Sequence, residues 1–199
     1  HNIPIVFMLL FYRVRYIVLL LLQFTLIAQS PSITYINTDT TWSSDVSISG
    51  KVVVQDGATL NIEPGTVVKA AFSSDPNEAT VLVIAKGGKI NAVGTSAQPI
   101  VFTTEYDDLT AADVNNGTLV SSVGGATNDL TTRGMWGGIM VLGNANVGGR
   151  YGGGSDFIET LSEYDFATYG NINPVANDNS GKLNYISIRH SGCISPNGD

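Results

Sequence analysis

Few residues in this chain of 199 could carry nucleophilic or metal chemistry. A serine or cysteine nucleophile needs a base, and His190 is the only histidine besides His1. Strand alternation puts His190 on the same face as Ile186 and Ile188, which predicts a core or bend histidine. The single cysteine, Cys193, cannot form an intrachain disulfide, and with His190 it supplies too few ligands for zinc. We therefore assign no catalytic residue here and expect a buried or unpaired thiol at Cys193.

Carboxylates could carry out glycoside hydrolysis or bind calcium. Glycoside hydrolysis needs two carboxylates at a fixed separation. Glu159, Glu163 and Asp165 lie close together in the sequence and would qualify only if the fold brought a pair into position. The alternative is that all three are solvated loop charges.

Calcium takes about six to eight oxygen ligands from carboxylates, amides and carbonyls. Asp107, Asp108 and Asp113 form one oxygen-rich group, and Asp178 lies in a second, within residues 177–181. Neither group has the spacing of an EF-hand loop. Calcium therefore stays a possible ligand of these aspartates, and the sequence identifies no other cofactor.

Aromatic residues punctuate a glycine-rich segment in the second half of the chain. They are Tyr151, Phe157, Tyr164, Phe166 and Tyr169. Exposed rings on a loop could stack on sugars or contact a partner protein. The equally weighted alternative is that the rings fold back and cover the side of the molecule.

An internal repeat indicates which scaffold holds these residues. Residues 51–61 return as residues 81–91, so that Gly57 aligns with Gly87 and Asn61 with Asn91. Short β-rich runs and glycine turns repeated at a fixed period are typical of a stacked solenoid. We predict strands at 52–54, 59–62, 66–72, 81–84, 88–92, 99–103, 135–143 and 183–190.

Stacking of the repeats has a specific consequence for the two asparagines. Asn61 and Asn91 should lie directly above one another at a bend, turned into the coil, and exchange amide hydrogen bonds as a ladder. Between the strands, residues 105–133 and 144–179 are rich in polar residues and glycine and are expected to form long loops.

The motifs of these strands also carry a resemblance. Residues 57–68, 87–90, 98–103, 136–145 and 180–189 resemble a family of secreted bacterial proteins with a right-handed parallel β-helix, pectin-lyase-like, many of them associated with type IX secretion. The resemblance implies an all-β solenoid in which Gly57, Gly87 and Trp136 are structural. It implies no activity, because the family has no established one.

Arg189 is the residue that could be catalytic if this protein were a polysaccharide lyase. Tyr185, Ser187 and Arg189 share the strand face opposite His190. Polysaccharide lyases of similar architecture use an outward arginine as base beside acidic residues that hold calcium. The alternative is an ordinary solvated arginine, and no matching stack of aspartates accompanies it.

The domain organisation follows from composition. Residues 1–28 are apolar, contain no acidic residue and carry Arg13 and Arg15, which predicts a signal peptide, with Met8 as a plausible start. A membrane anchor is the alternative. Residues 29–50 are expected to be a lead-in or cap, and residues 51–199 a β-helix truncated at its C-terminus.

Charge bounds the class of partner. Without Arg13 and Arg15 the basic residues number 10 − 2 = 8 against 17 acidic ones, which gives 8 − 17 = −9. Such a chain repels nucleic acid and anionic membranes, so membrane contact is expected only through the signal peptide during export. We expect a secreted or cell-surface, non-catalytic binding, adhesion or structural module that meets extracellular polysaccharide or surface proteins. The alternative is a polysaccharide lyase or glycoside hydrolase.

Overall fold

Strands from successive turns of the chain pair in parallel and build a stack of coils. The structure is a computed structural model that describes residues 32–127, 132–147 and 154–192. The first three coils follow one another directly. They comprise β1 (Ile33–Ile36), β2 (Thr40–Trp42), β3 (Asp45–Ile48), β4 (Lys51–Val54), β5 (Thr59–Ile62), β6 (Val67–Ala70), β7 (Val81–Ile84), β8 (Lys89–Val93) and β9 (Ile100–Thr104).

One insertion separates the third coil from the fourth, and a second insertion interrupts the fourth coil. The first insertion carries a short helix, α1 (Ala111–Asn115), and a hairpin of β10 (Ser122–Val123) and β11 (Ala126–Thr127). The strand β12 (Gly138–Val141) then joins the stack. The second insertion holds a hairpin of β13 (Ser155–Phe157) and β14 (Thr168–Gly170), and β15 (Gly181–Asn184) and β16 (Ile186–Ile188) complete the coil.

Three parallel sheets of four strands result. Sheet 1 contains β1, β4, β7 and β12, sheet 2 contains β2, β5, β8 and β15, and sheet 3 contains β3, β6, β9 and β16. All the strand pairs in these sheets are parallel. The chain therefore folds as the predicted all-β parallel β-helix.

Alternate residues of each strand point into the coil and form one continuous core. Leu60 and Ile62 of β5 stack on Ile90 and Ala92 of β8, and all four are buried. Residues at equivalent positions of sheets 1 and 3 meet them in the same core. The core also holds Trp136, which is 1% exposed and donates its indole N–H to the Arg189 carbonyl at 2.8 Å. Trp136 thereby ties the start of the fourth coil to its end.

The predicted pairing of Asn61 with Asn91 is confirmed, but the two side chains do not lie where the prediction placed them. Asn61 pairs with Asn91, and the Asn91 amide donates to the Asn61 side-chain oxygen at 3.1 Å. Both residues lie within strands, not at a bend, and both are half-buried on the outer face. Side chains alternate along a strand, and the neighbouring Leu60 and Ile90 point inward. Asn61 and Asn91 therefore point outward.

The stack begins earlier than the expected boundary at residue 51. β1, β2 and β3 pair with the second coil in full register, so residues 33–48 are a coil and not a lead-in. Polar outward residues such as Thr41 and Ser47 break the apolar runs that identify the later strands.

The predicted strand at 183–190 is two strands with a corner between them. Tyr185 has a φ of 46°, in the left-handed region, and separates β15 from β16. His190 has a φ of 56° and turns the chain again after β16. His190 is thus a bend histidine, one of the two predicted alternatives.

All the described residues belong to one unit, Pro31–Asp199. The predicted signal peptide and Cys193 lie outside the described residues. Within the described part, no helix has the length and apolar character needed to cross a membrane.

Candidate functional site

The two insertions cover the outer faces of two sheets. Residues of the first insertion, Leu109, Ala111 and Val114, pack on Val67 and Val101 of sheet 3. The second insertion packs an apolar cluster on sheet 1. Its members from the insertion are Ile158, Leu161, Tyr164, Phe166, Ala167 and Tyr169. Outward residues of sheet 2 such as Lys89, Lys182 and Asn184 are exposed.

The predicted sugar-binding rings therefore divide into two groups. Tyr164 and Tyr169 are partly buried against sheet 1, in agreement with the expectation that the rings fold back. Phe157 is 45% exposed on β13. Tyr151 lies outside the described residues.

Folding back does not remove Tyr164 from solvent, because it lines a cavity of about 510 Å³ at the edge of the cluster. The Tyr164 and Phe166 rings are stacked, with centroids 5.1 Å apart and an interplanar angle of 11°. Tyr35 of β1 meets Phe166 edge-on at 6.4 Å and 75°. We call the cavity that these three rings line the aromatic cavity. Tyr35 is 48% exposed and was not predicted as a site residue.

Polar groups surround these rings. The remaining lining of the aromatic cavity comprises Gln55, Asp56, Ala85, Lys86, Glu163, Asp165 and Thr168. Glu163 and Asp165, two of the three carboxylates considered for hydrolysis, thus meet Asp56 around one cavity, whereas Glu159 is not among its lining residues.

The Asp56 carboxylate lies close to the backbone of the next coil. Gly87 has a φ of +80°, and a Cβ atom at this residue would collide with the Asp56 carboxylate. Gly57 has the same φ, and its amide donates to the Gly87 carbonyl at 3.2 Å. Glycine at residue 87 therefore leaves room for the Asp56 side chain, which lines the aromatic cavity.

Tyr164 stands in an electronegative environment. Burial raises the pKa of its phenol above the ordinary value, and a hydrogen bond with Glu163 and the charges of Glu163 and Glu78 raise it further. The phenol is therefore protonated at neutral pH and donates to the Glu163 carboxylate.

Arg189 lines a second cavity, of about 460 Å³, with Arg133, His190 and Ser121 among its walls. The Arg189 guanidinium donates to the hydroxyls of Ser187 at 3.2 Å and Ser121 at 3.3 Å, and to the Leu119 carbonyl at 3.1 Å. These bonds brace the first insertion against β16. His190 hydrogen-bonds the Thr132 carbonyl through Nδ1 at 2.7 Å.

The aspartates predicted as possible calcium ligands have separate protein partners. Asp107 is 1% exposed and accepts from the Thr103 hydroxyl at 2.6 Å and the Leu109 amide at 3.0 Å. Burial by itself raises the pKa of this carboxyl. Hydrogen bonds from Thr103, Leu109 and Ser121, with the charge of Arg189, outweigh burial and lower the pKa below its ordinary value.

The other three aspartates order local backbone. Asp113 and Thr110 form a capping box at α1, and hydrogen bonds from Thr110 lower the pKa of Asp113. Asp108 accepts from the Ser122 amide, and Asp178 from the Asn144 amide, both at 2.7 Å. Among the described residues no group of three or more His, Cys, Asp or Glu is placed to hold a metal ion.

Comparison with known proteins agrees with the fold. The chain matches no curated protein and no solved structure. Residues 34–129 match the family model of the pectate-lyase-like beta helix domain. The matched segment covers the first three coils and the first insertion, but it ends before the insertion that supplies Tyr164. The match supports the predicted resemblance to pectin-lyase-like β-helix proteins.

Proposed function

We propose that this protein is a secreted or cell-surface β-helix module that binds polysaccharide at the aromatic cavity without cleaving it. The observation that carries the proposal is the set of three rings, Tyr35, Tyr164 and Phe166, around one cavity with carboxylates and an amide at its margin. The predicted signal peptide at residues 1–28 supports export.

The physical character of the cavity suits a sugar. A pyranose presents apolar C–H faces, which pack on aromatic rings, and an equatorial belt of hydroxyls, which needs hydrogen-bond partners. Half-buried Tyr164 and Phe166 supply the rings, while Gln55 and Asp56 supply acceptors and a donor at the rim.

Calorimetric titration with short oligosaccharides tests the proposal. The panel contains β-1,4-linked glucan, N-acetylglucosamine, glucosamine and galacturonan oligomers. We expect at least one to bind, and Tyr35→Ala to weaken that binding about fivefold to tenfold, the effect of losing one aromatic contact. Phe157→Ala is the control, because it also removes an exposed aromatic ring, on the second insertion and outside the cavity. Equal effects of the two variants, or no binding, would contradict the proposal.

A glycoside hydrolase is the second candidate, favoured by the convergence of Asp56, Glu163 and Asp165 on the cavity. It predicts that the bound oligosaccharide is shortened and that Glu163→Gln abolishes shortening without abolishing binding. Release of reducing ends measures this. A lyase would instead give unsaturated products that disappear in Arg189→Ala, although the three hydrogen bonds of Arg189 favour a structural role.

A further inference from the structure

The charges around the aromatic cavity select among oligosaccharides. Three carboxylates, those of Asp56, Glu163 and Asp165, line it together with one ammonium group, that of Lys86. Lys86 donates to the Gly170 carbonyl at 3.3 Å, which directs its ammonium group toward the backbone of β14. The cavity therefore presents more negative than positive charge to an entering ligand.

The rings reinforce this preference. The faces of aromatic rings carry negative electrostatic potential and attract a cation lying within about 6 Å of the ring centre. Tyr164 and Tyr35 share the cavity with the carboxylates, so that both kinds of group act on the same ligand. The Asp56 carboxylate lies against Gly87 and is exposed at the rim, where a ligand can reach it.

We propose that the aromatic cavity binds an amine-bearing glycan, in which a protonated sugar amine lies between the carboxylates while the sugar ring packs on Tyr164 or Tyr35. This inference rests on the proposed function and gives it a substrate class. A polyuronate is excluded by the same charges, because its carboxylates would be repelled. A basic peptide has the required charge but lacks the flat C–H faces that three rings can cover.

Titration with matched oligomers tests the charge requirement. Glucosamine hexamer, N-acetylglucosamine hexamer and galacturonan hexamer have similar length and differ in charge. At about pH 5.5, where the amine is protonated, we expect the glucosamine oligomer to bind about tenfold tighter than the acetylated one. Its affinity should fall as salt is raised, because exposed charges are screened.

Two variants locate the effect. Asp56→Asn should weaken glucosamine binding about twofold to fivefold, as for an exposed ion pair, and weaken binding of the acetylated oligomer less, because asparagine keeps one acceptor oxygen for a sugar hydroxyl. Glu63→Gln is the matched control, since it removes an exposed carboxylate outside the cavity. Equal binding of the two oligomers, tighter binding of a tetralysine peptide, or equal effects of the two variants would overturn the inference. If only the acetylated or glucan oligomer binds, the substrate class is wrong and the proposed function stands. If no oligosaccharide binds, the proposed function itself fails.

Discussion

The two insertions cover the β-helix in different ways. The first is anchored to sheet 3 by its own apolar cluster and, in addition, by buried polar groups. Asp107 accepts two hydrogen bonds, and the Lys69 ammonium group donates to the Asp107 carbonyl at 2.8 Å. The second is anchored to sheet 1 by an apolar cluster that includes Leu161 and Ala167, both buried.

This difference decides where a ligand site can form. A buried polar network fixes one geometry, since each missing hydrogen bond is costly. The first insertion accordingly holds its carboxylates in internal contacts. An apolar cluster has no such directional requirement, so the second insertion can cover sheet 1 and still leave the rings of Tyr164 and Phe166 open at the edge.

Removing the central apolar contact of the second insertion should have the largest effect. Leu161→Ala deletes a side chain that is 5% exposed, and we expect unfolding to become easier by about 2–5 kcal/mol. Urea denaturation measures this. Phe157→Ala on the same insertion should change stability by less than about 0.5 kcal/mol, because its ring is exposed. A small effect of Leu161→Ala would show that the apolar cluster does not anchor the insertion.

The corresponding change in the first insertion acts on a polar group. Asp107→Ala leaves the Thr103 hydroxyl and the Leu109 amide without their acceptor, and we expect a loss of about 1–3 kcal/mol. Limited proteolysis should find faster cleavage within residues 105–127 than within residues 154–179. Asp108→Ala is the control, since Asp108 is exposed and its carboxylate accepts from the Ser122 amide. Equal losses in the two variants would contradict the buried network.

Lowering the pH should destabilise the first insertion more than the second, without any mutation. Because the folded pKa of Asp107 lies below its ordinary value of 3.8, its contribution to stability is present above that pH and is lost as pH falls through the folded pKa. We expect the protection factors of amides in α1, which correct for the intrinsic pH dependence of exchange, to fall between about pH 5 and pH 2 more than those in β13 and β14. In Asp107→Asn, which cannot titrate, this difference should shrink. A uniform fall in protection would place the acid sensitivity elsewhere.

The repeat made the coils predictable, because strand alternation and glycine turns are local signals. Residues 51–61 and 81–91 carry these signals twice, and the register that aligns Asn61 with Asn91 follows directly. The first coil was missed because its outward positions are polar, although Ile33 and Ile36 already align with Lys51 and Val54.

The aromatic cavity could not be predicted in the same way. Tyr35 and Tyr164 lie far apart in the sequence, and their meeting depends on how the second insertion folds over sheet 1. The sequence indicates Tyr164 as a candidate ligand-binding residue, but nothing in its spacing indicates Asp56 or Tyr35 as neighbours. The calcium candidates show the reverse case, since Asp107 and Asp113 cluster in sequence and yet serve separate local contacts.

We expect the smallest effect on stability at the outer face of sheet 2, which carries the asparagine ladder. Neither insertion covers this ladder in the described part of the chain. Asn61→Ala or Asn91→Ala removes a half-exposed hydrogen bond of 3.1 Å, and we expect a loss of about 0.5–1 kcal/mol from each. If the ladder bond is the cause, the double variant should lose less than the sum of the two single losses, because the second change breaks nothing further. Thr59→Ala, on the same face and strand as Asn61, controls for loss of strand propensity. Additive losses would show that the two asparagines contribute separately and that the hydrogen bond between them does not stabilise this face.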